Sequence, residues 1–271
     1  FSLGVATNRD AWVYQYSQQK LEANVHKLIE FYNAENNRIQ PLLKANPNKD
    51  VGELINIDST KISWTRALKN DLKKDKRLSF ERKSIYSATY RPFIKSWMYF
   101  NRRLNEMVLQ MPQIFPTADA NNLIIQLSGI GARSGFSTII SNNILSLDTI
   151  EKGQCFPLYL YEENTVKAND SDLFSQADAQ NSDGQYNRKD AISDAGLKHF
   201  HDAYPNETFS KEDIFYYVYG LLHSEDYRSR YADNLSKELP RIPCVKKAED
   251  FWVFSKAGRD LAHWHLNYET V

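Results

Sequence analysis

The sequence predicts an α+β fold with a long N-terminal helix, a central, mainly antiparallel strand-rich part with a glycine-rich hairpin, and a helical C-terminal part. Three observations predict it. Apolar residues recur at helical spacing near the N-terminus, at Leu21, Val25, Leu28, Ile29 and Tyr32. From Ser84 onward the texture changes to β-branched and aromatic residues in short runs. Beyond residue 190 helical spacing returns and continues to the C-terminus.

The elements follow in order. In "TNRDAWVYQYSQQKLEANVHKLIEFYNAENNRI" a helix is expected, with Asn8 or Asp10 as its cap and Pro41 and Pro47 ending the region. A second helix, cationic on its wet face, is expected near Trp64–Lys74. "SIYSATYRPFIKSWMYF" reads as strand, turn, strand. "NNLIIQLSGIGARSGFSTIISN" reads as a hairpin, in which Leu123–Leu127 and Phe136–Ile140 flank a glycine-rich loop. "CFPLYLY" is one more short buried strand. Residues 162–190 are polar and nearly free of aliphatics, and are expected to form a surface loop or linker that buries little. Helices are then expected at Ala191–Tyr204, Lys211–His223, Asp226–Leu235 and Ala248–Leu266, the second opened by a capping box of Ser210 and Asp213. The organisation expected is an α+β part over residues 1–161, the polar stretch 162–190, and a helical part over 191–271 packed on the first as one unit. The chain opens on Phe1 without a signal-peptide pattern, and is expected to be a piece of a longer polypeptide.

Hydrophobic residues make up 42% of the 271, enough for a substantial core, which excludes global disorder. Lysine plus arginine number 34, as do aspartate plus glutamate, so only the distribution of charge is informative. Between Lys61 and Arg103 there are thirteen cations and three acids, a net +10 that the rest of the chain balances at −10. Such a division suggests a polyanion-binding face, unless tertiary neighbours neutralise it. Within it, "YRPFIKSWMYFNRRLNEM" sets four cationic side chains among five aromatic ones. Arginine supplies paired donors for phosphate oxygens and guanine edges. The aromatics supply stacking, and about half of them are expected in the core. Cys155 and Cys244 are too few for a disulfide framework and are not at metal spacing, so they read as core thiols of a reducing compartment. No apolar run approaches a membrane span.

Catalytic patterns are missing. Gly129, Gly131 and Gly135 give G-x-G-x-x-x-G, one residue off the dinucleotide fingerprint, and a strand follows where a helix is needed. A mobile hairpin tip carrying Arg133 and Ser134 is the better reading, either entering a DNA groove or forming a plain exposed turn. His199 with His201, and His263 with His265, lie two apart, which on a helix directs them to different faces and suits no shared metal. No nucleophile elbow G-x-S-x-G is present. Catalytic, cofactor-binding and metal residues are accordingly expected to be none.

Several stretches carry a family resemblance. "GVATNRDAWVYQYS", "YRPFIKSWMYFNRRL", "SGIGARSGFSTIISN", "GQCFPLYLYE", "IFYYVYGLLHSEDYRSRY" and "RIPCVKKAEDFWVFSKAGRDLAHWHLNYE" resemble, in family order and nearly end to end, the C-terminal region of type ISP restriction–modification enzymes. Those enzymes join a nuclease, a helicase-like ATPase, an adenine-N6 methyltransferase and a target recognition domain on one polypeptide. The resemblance implies that this chain is the last of these. The methyltransferase N-P-P-Y motif, the S-adenosylmethionine glycine motif and the Walker motifs are absent from it. What carries over is a role, to read a sequence in double-stranded DNA and present an adenine to the neighbouring methyltransferase. S-adenosylmethionine, ATP and Mg are expected in the parent enzyme and not in this chain. The partners implied are duplex DNA and the parent's own methyltransferase and helicase-like domains, in a bacterial cytoplasm and with no membrane. In that reading Arg77, Arg82, Lys83, Arg91, Lys95, Asn101, Arg102 and Arg103 are the DNA-binding candidates, with Arg133 and Ser134 on the hairpin tip. The alternative is a docking module that links methyltransferase to motor and touches bases little, served by the aromatic C-terminal helices.

Overall fold

The computed structural model describes residues 1–164 and 185–270. Its elements run β1 (Ser2–Leu3), α1 (Asp10–Val13), β2 (Tyr14–Gln15), α2 (Gln18–Ala45), α3 (Val51–Leu54), α4 (Arg66–Lys73), β3 (Ile85–Arg91), β4 (Ile94–Tyr99), α5 (Met111–Ile114), β5 (Ile124–Leu127), β6 (Thr138–Ser141), β7 (Ile144–Leu145), β8 (Gln154–Pro157), β9 (Tyr159–Glu163), β10 (Tyr186–Asp190), α6 (Asp194–Ala203), α7 (Lys211–His223), α8 (Glu225–Arg230), α9 (Ala232–Leu235) and α10 (Ala248–Leu266). This is an α+β fold. Among the described residues no helix is long and apolar enough to cross a membrane.

The chain divides into two compact units. The first comprises Val5–Leu109 with Ile144–Ser146, and the second Phe1–Gly4, Gln110–Asn143 and Leu147–Val271. The units cut across the expected divisions at residues 161 and 190, because β5, β6 and β8 make one sheet with the N-terminal β1 and share a core with the C-terminal helices. The first holds nineteen lysines and arginines against eleven acids, a net +8. The second therefore carries −8. The first is thus a basic unit and the second an acidic unit.

In the basic unit, a sheet of order β2-β4-β3-β7 is antiparallel except where β7 runs parallel to β3. Helix α2 buries Leu21, Val25, Leu28, Tyr32 and Ile39, and α4 adds Leu68 and Leu72. The long helix starts later than expected: Ser17, not Asn8 or Asp10, accepts from the Lys20 N–H, and the preceding residues form α1 and β2. It also continues through Pro41 to Ala45. A proline in a helix forfeits one backbone bond. Side chains just before it tie the helix to α4 and its end, since Gln40 donates to the Leu72 carbonyl at 2.7 Å and Asn36 to Asp75 at 2.7 Å.

In the acidic unit, β1-β8-β5-β6 form an antiparallel sheet against α7 and α10. The run "CFPLYLY", expected as one strand, is two, since β8 ends at Pro157 and β9 pairs in a separate sheet with β10. Both ends of the expected loop 162–190 are thus strand, with Glu162 opposite Asn187. "YNRKD" hides this because its side chains are mostly exposed and show no apolar alternation. The middle of that stretch lies outside the described residues. Helix α7 opens on the Ser210–Asp213 capping box, and Arg259 of α10 bridges Glu212 and Asp213 at 2.9 and 2.7 Å. Cys155 is buried and neither cysteine is paired.

Candidate nucleic-acid interface

Eight of the ten candidate residues fall in the basic unit, and Arg133 and Ser134 fall in the acidic unit. The basic candidates start from the β3–β4 hairpin. Arg91 faces Ile94 across a turn of Pro92 and Phe93. Proline suits the first central position of type I and type II turns, and only type II takes a positive φ at the second, which suits glycine or asparagine. Phe93 adopts it nonetheless, at φ 57. The tip is exposed and apolar, with Phe93 and Ile94 each at least 40% accessible. Around it, the Arg91 guanidinium stacks 4.1 Å over the Tyr90 ring and donates to the Tyr90 carbonyl at 2.7 Å. Tyr90 in turn donates to Asp10 at 3.0 Å. Lys95 and Trp97 alternate onto one face of β4, opposite Thr89 and Ser87.

Farther along, the side chains divide by what they touch. Arg103 is committed inside the unit: its Nε donates to Asp71 at 3.0 Å, Nη2 to the Lys76 carbonyl at 3.4 Å and Nη1 to the Arg77 carbonyl. Burial opposes ionisation of Asp71, but hydrogen bonds from Lys76 and Arg103 outweigh it and hold the carboxyl below the usual carboxylate range. Asn101 shapes a turn, where its carboxamide oxygen accepts from the Arg103 N–H and its own N–H donates to Asn105, both at 2.9 Å. Arg82 pairs with Glu22 at 3.2 Å and Lys83 lies 3.9 Å from Glu81, both largely exposed. Arg77 donates to Asn37. Arg102 is exposed and, among the described residues, makes no ion pair.

The glycine loop joining β5 to β6, expected as a mobile tip, is hydrogen-bonded to Glu151. Gly129 donates to the Glu151 carbonyl at 2.9 Å, and a Cβ there would sit 2.4 Å from the Lys152 carbonyl oxygen. Gly131 and Gly135 have φ of 70 and 78, as only glycine readily allows. The backbone N–H groups of Arg133 and Ser134 both donate to one Glu151 oxygen, at 2.7 and 3.2 Å. Those bonds, Ser134's first, hold the Glu151 carboxyl below its ordinary range. Successive N–H groups of this kind are where a phosphate would bind. With a carboxylate on them, the loop does not fit a nucleotide cradle.

The histidines stand in aromatic contacts. His201 stacks on Phe209 at 4.5 Å, His199 lies edge-on to Phe200, and Tyr219 meets Nδ1 of His265 at 2.5 Å. Two features escaped the sequence reading. One is Arg9, 3% exposed, with only its Nη2 hydrogen-bonded, to Thr65. Nothing in the local sequence signals its burial. The other is the row Arg66, Lys69 and Lys73 on α4, spaced three and four residues apart on one helix face: the cationic face was expected from the sequence, but these residues were not among the DNA-binding candidates.

Two of three comparisons with known proteins find relatives, and those two agree. No curated protein matches the chain. Solved structures do: a DrdV–DNA complex determined by cryoEM, 37% identical with TM-score 0.81; a nuclease-deletion mutant of the type ISP restriction–modification enzyme LlaGI with a DNA substrate mimic, 34% and 0.79; and the ATP-dependent type ISP enzyme LlaBIII bound to DNA, 30% and 0.79. Each match covers 100% of this chain, and respectively 23%, 22% and 16% of the other, so the chain spans less than a quarter of any of these relatives. The family model of the type ISP C-terminal specificity domain matches residues 1–271. The chain belongs to the type ISP C-terminal specificity domain family.

Proposed function

We propose that this chain reads a specific sequence in double-stranded DNA for a restriction–modification enzyme, and presents an adenine to an N6-adenine methyltransferase domain of the same polypeptide. The observation that carries it is the match of all 271 residues, at 30–37% identity, to parts of enzymes solved on DNA. The +8 basic unit supports it, since phosphate neutralisation supplies most of the sequence-independent affinity for DNA. Contact falls to Arg77, Arg82, Lys83, Arg91, Lys95, Arg102 and Arg133, while Asn101, Arg103 and Ser134 hold the backbone that displays them. Phosphate contacts outnumber base contacts in such interfaces, so a few of these set specificity. The chain performs no catalysis of its own. S-adenosylmethionine, ATP and Mg belong to other domains, in keeping with a glycine loop closed by Glu151. Presentation takes the form of extruding the adenine from the stack, because chemistry on a base cannot reach it inside the duplex.

Grafting this chain in place of the specificity domain of another type ISP enzyme tests the proposal. The chimera is expected to methylate a new sequence. A chimera that keeps its host's sequence refutes sequence reading and leaves the chain a docking module. One observation favours docking as an additional role. Val253 and Trp264 on α10 are 66% and 54% exposed, and at eleven residues apart they share one face. Serine at both positions would then weaken retention of a methyltransferase fragment without DNA.

A further inference from the structure

The basic unit also holds a concave surface lined by none of the candidate residues above. It is a cleft of about 550 Å³ between the α2–α3 connection and α4. Its cations are Lys49, Arg66, Lys69 and Lys73, with Asn48 and Asn70 as neutral donors beside them. The acid on its wall, Asp50, accepts from the Gly52 N–H at 3.0 Å as the cap of α3. Among the described residues none of the four cations makes an ion pair. Other cations of the basic unit do: Lys76 and Arg103 reach Asp71, Arg82 reaches Glu22, and Arg38 reaches Glu35. The four cleft cations, like Arg102, are thus among those of the unit without an ion pair in the described residues.

The wall of the cleft adds a charge. Thr65 caps α4 there, accepting from the Leu68 N–H, and on its buried side accepts from Nη2 of Arg9 at 2.9 Å. Burial lowers the Arg9 pKa to about 10, against the attraction of Glu106, so the guanidinium remains charged at neutral pH. A buried cation with two unbonded nitrogens, Nε and Nη1, is costly to the fold. It raises the potential of the cleft in front of it, where low-dielectric walls focus the field.

We propose that this cleft grips the sugar–phosphate backbone of duplex DNA, independently of sequence, through Lys49, Arg66, Lys69 and Lys73. The inference rests on the DNA-reading function above and adds an anchoring site to it. Geometry fits the ligand. Arg66, Lys69 and Lys73 climb one face of α4 over about 10 Å, and one DNA strand presents a phosphate about every 3.4 Å along its axis. Along the winding strand the phosphates lie roughly twice that rise apart, so the row can follow about two of them. The mixture of lysine and a lone arginine suits point-charge contact with phosphate better than paired readout of a base edge.

The test is fluorescence anisotropy of the 271-residue chain on labelled duplexes over a series of salt concentrations. Lys69→Gln is expected to weaken binding to every sequence alike and to lower the slope of log affinity against log salt by about 0.9. Arg66→Gln, Lys69→Gln and Lys73→Gln together are expected to lower it by roughly two. Lys256→Gln in the acidic unit serves as the charge control and is expected to leave the slope unchanged. Unchanged slopes in the cleft variants, or an equal drop in the control, overturn the anchoring site while leaving DNA reading intact. A wild-type chain that does not bind duplex DNA overturns the function and the cleft together. If the triple variant fails to melt cooperatively, the single Lys69→Gln decides.

Discussion

Arg102 and Arg103 are neighbours in sequence, yet their environments assign them opposite roles. Arg103 ties the turn at residues 101–105 to the end of α4 through Asp71 and two backbone carbonyls. Arg102 reaches solvent. Arg103→Ala should cost about 1–2 kcal/mol in urea denaturation, because it removes a charge-assisted bond from Asp71, which keeps only Lys76, and takes the donor from the Arg77 carbonyl, while the Lys76 carbonyl keeps the Tyr32 hydroxyl. Arg103→Lys should recover little, since a point charge cannot serve three diverging acceptors. Arg102→Ala should stay within about 0.5 kcal/mol of wild type, as exposed substitutions do, while weakening duplex binding. Equal stability of the Arg102 and Arg103 alanine variants would show that the clamp contributes nothing. The concentration of arginine in this stretch was legible in the sequence, but the division of labour was not. It depends on Asp71, thirty-two residues upstream, meeting Arg103 in space.

Among the elements, α7 and α10 show how close approach replaces side-chain packing. Two mid-helix glycines face each other's backbones: a Cβ on Gly220 would lie 2.2 Å from the Phe254 carbonyl oxygen, and one on Gly258 1.9 Å from that of Tyr216. The closeness lets Tyr217 stack on Phe251 at 4.8 Å and Ser255 donate to the Asp213 carbonyl at 3.0 Å. Gly258→Ala sets two effects against each other. Helix propensity gains about 1 kcal/mol. Overpacking against immovable backbone costs about 1–3 kcal/mol or more, and at 1.9 Å the clash decides the sign. Thermal melting should therefore show Gly258→Ala destabilised, whereas Gly196→Ala on α6, whose added Cβ meets nothing nearer than 3.5 Å, should melt no lower than wild type. A neutral Gly258→Ala would mean the helices can separate without loss. The helices themselves were readable from their spacing, and α7 and α10 begin and end where the sequence predicts. The short strands were not, because β1, β2 and β7 have two residues each and gain their identity only from their partners.

At the scale of the whole molecule, a chain of zero net charge separates into units of +8 and −8, so the basic stretch visible in the sequence becomes a property of one folded body. The unit boundary was hidden, since it depends on β1 joining β8, a partner about 150 residues away. Stability over pH is also set by burial that no local pattern reveals. His223 ends α7 beside Tyr219, Arg228 and His265, with its Nε2 buried and unbonded. Burial first, then the charge of Arg228 and the neighbouring His265, lowers its pKa to about 4, and burial also lowers that of His265. Unfolding returns both to the ordinary value near 6.5. Between those values the unfolded chain binds more protons than the folded one, so the stabilisation is full above about pH 6.5 and is lost as the pH falls toward 4. The carboxylates held low by partners, Glu35, Asp71 and Asp213, act below that window. The melting temperature should therefore decline between pH 7 and pH 5, before ordinary acid denaturation begins. His223→Gln should flatten that decline, because glutamine carries no proton to gain on unfolding. A variant that keeps the wild-type slope over this range would show that His223 is already protonated, or solvated, in the folded chain.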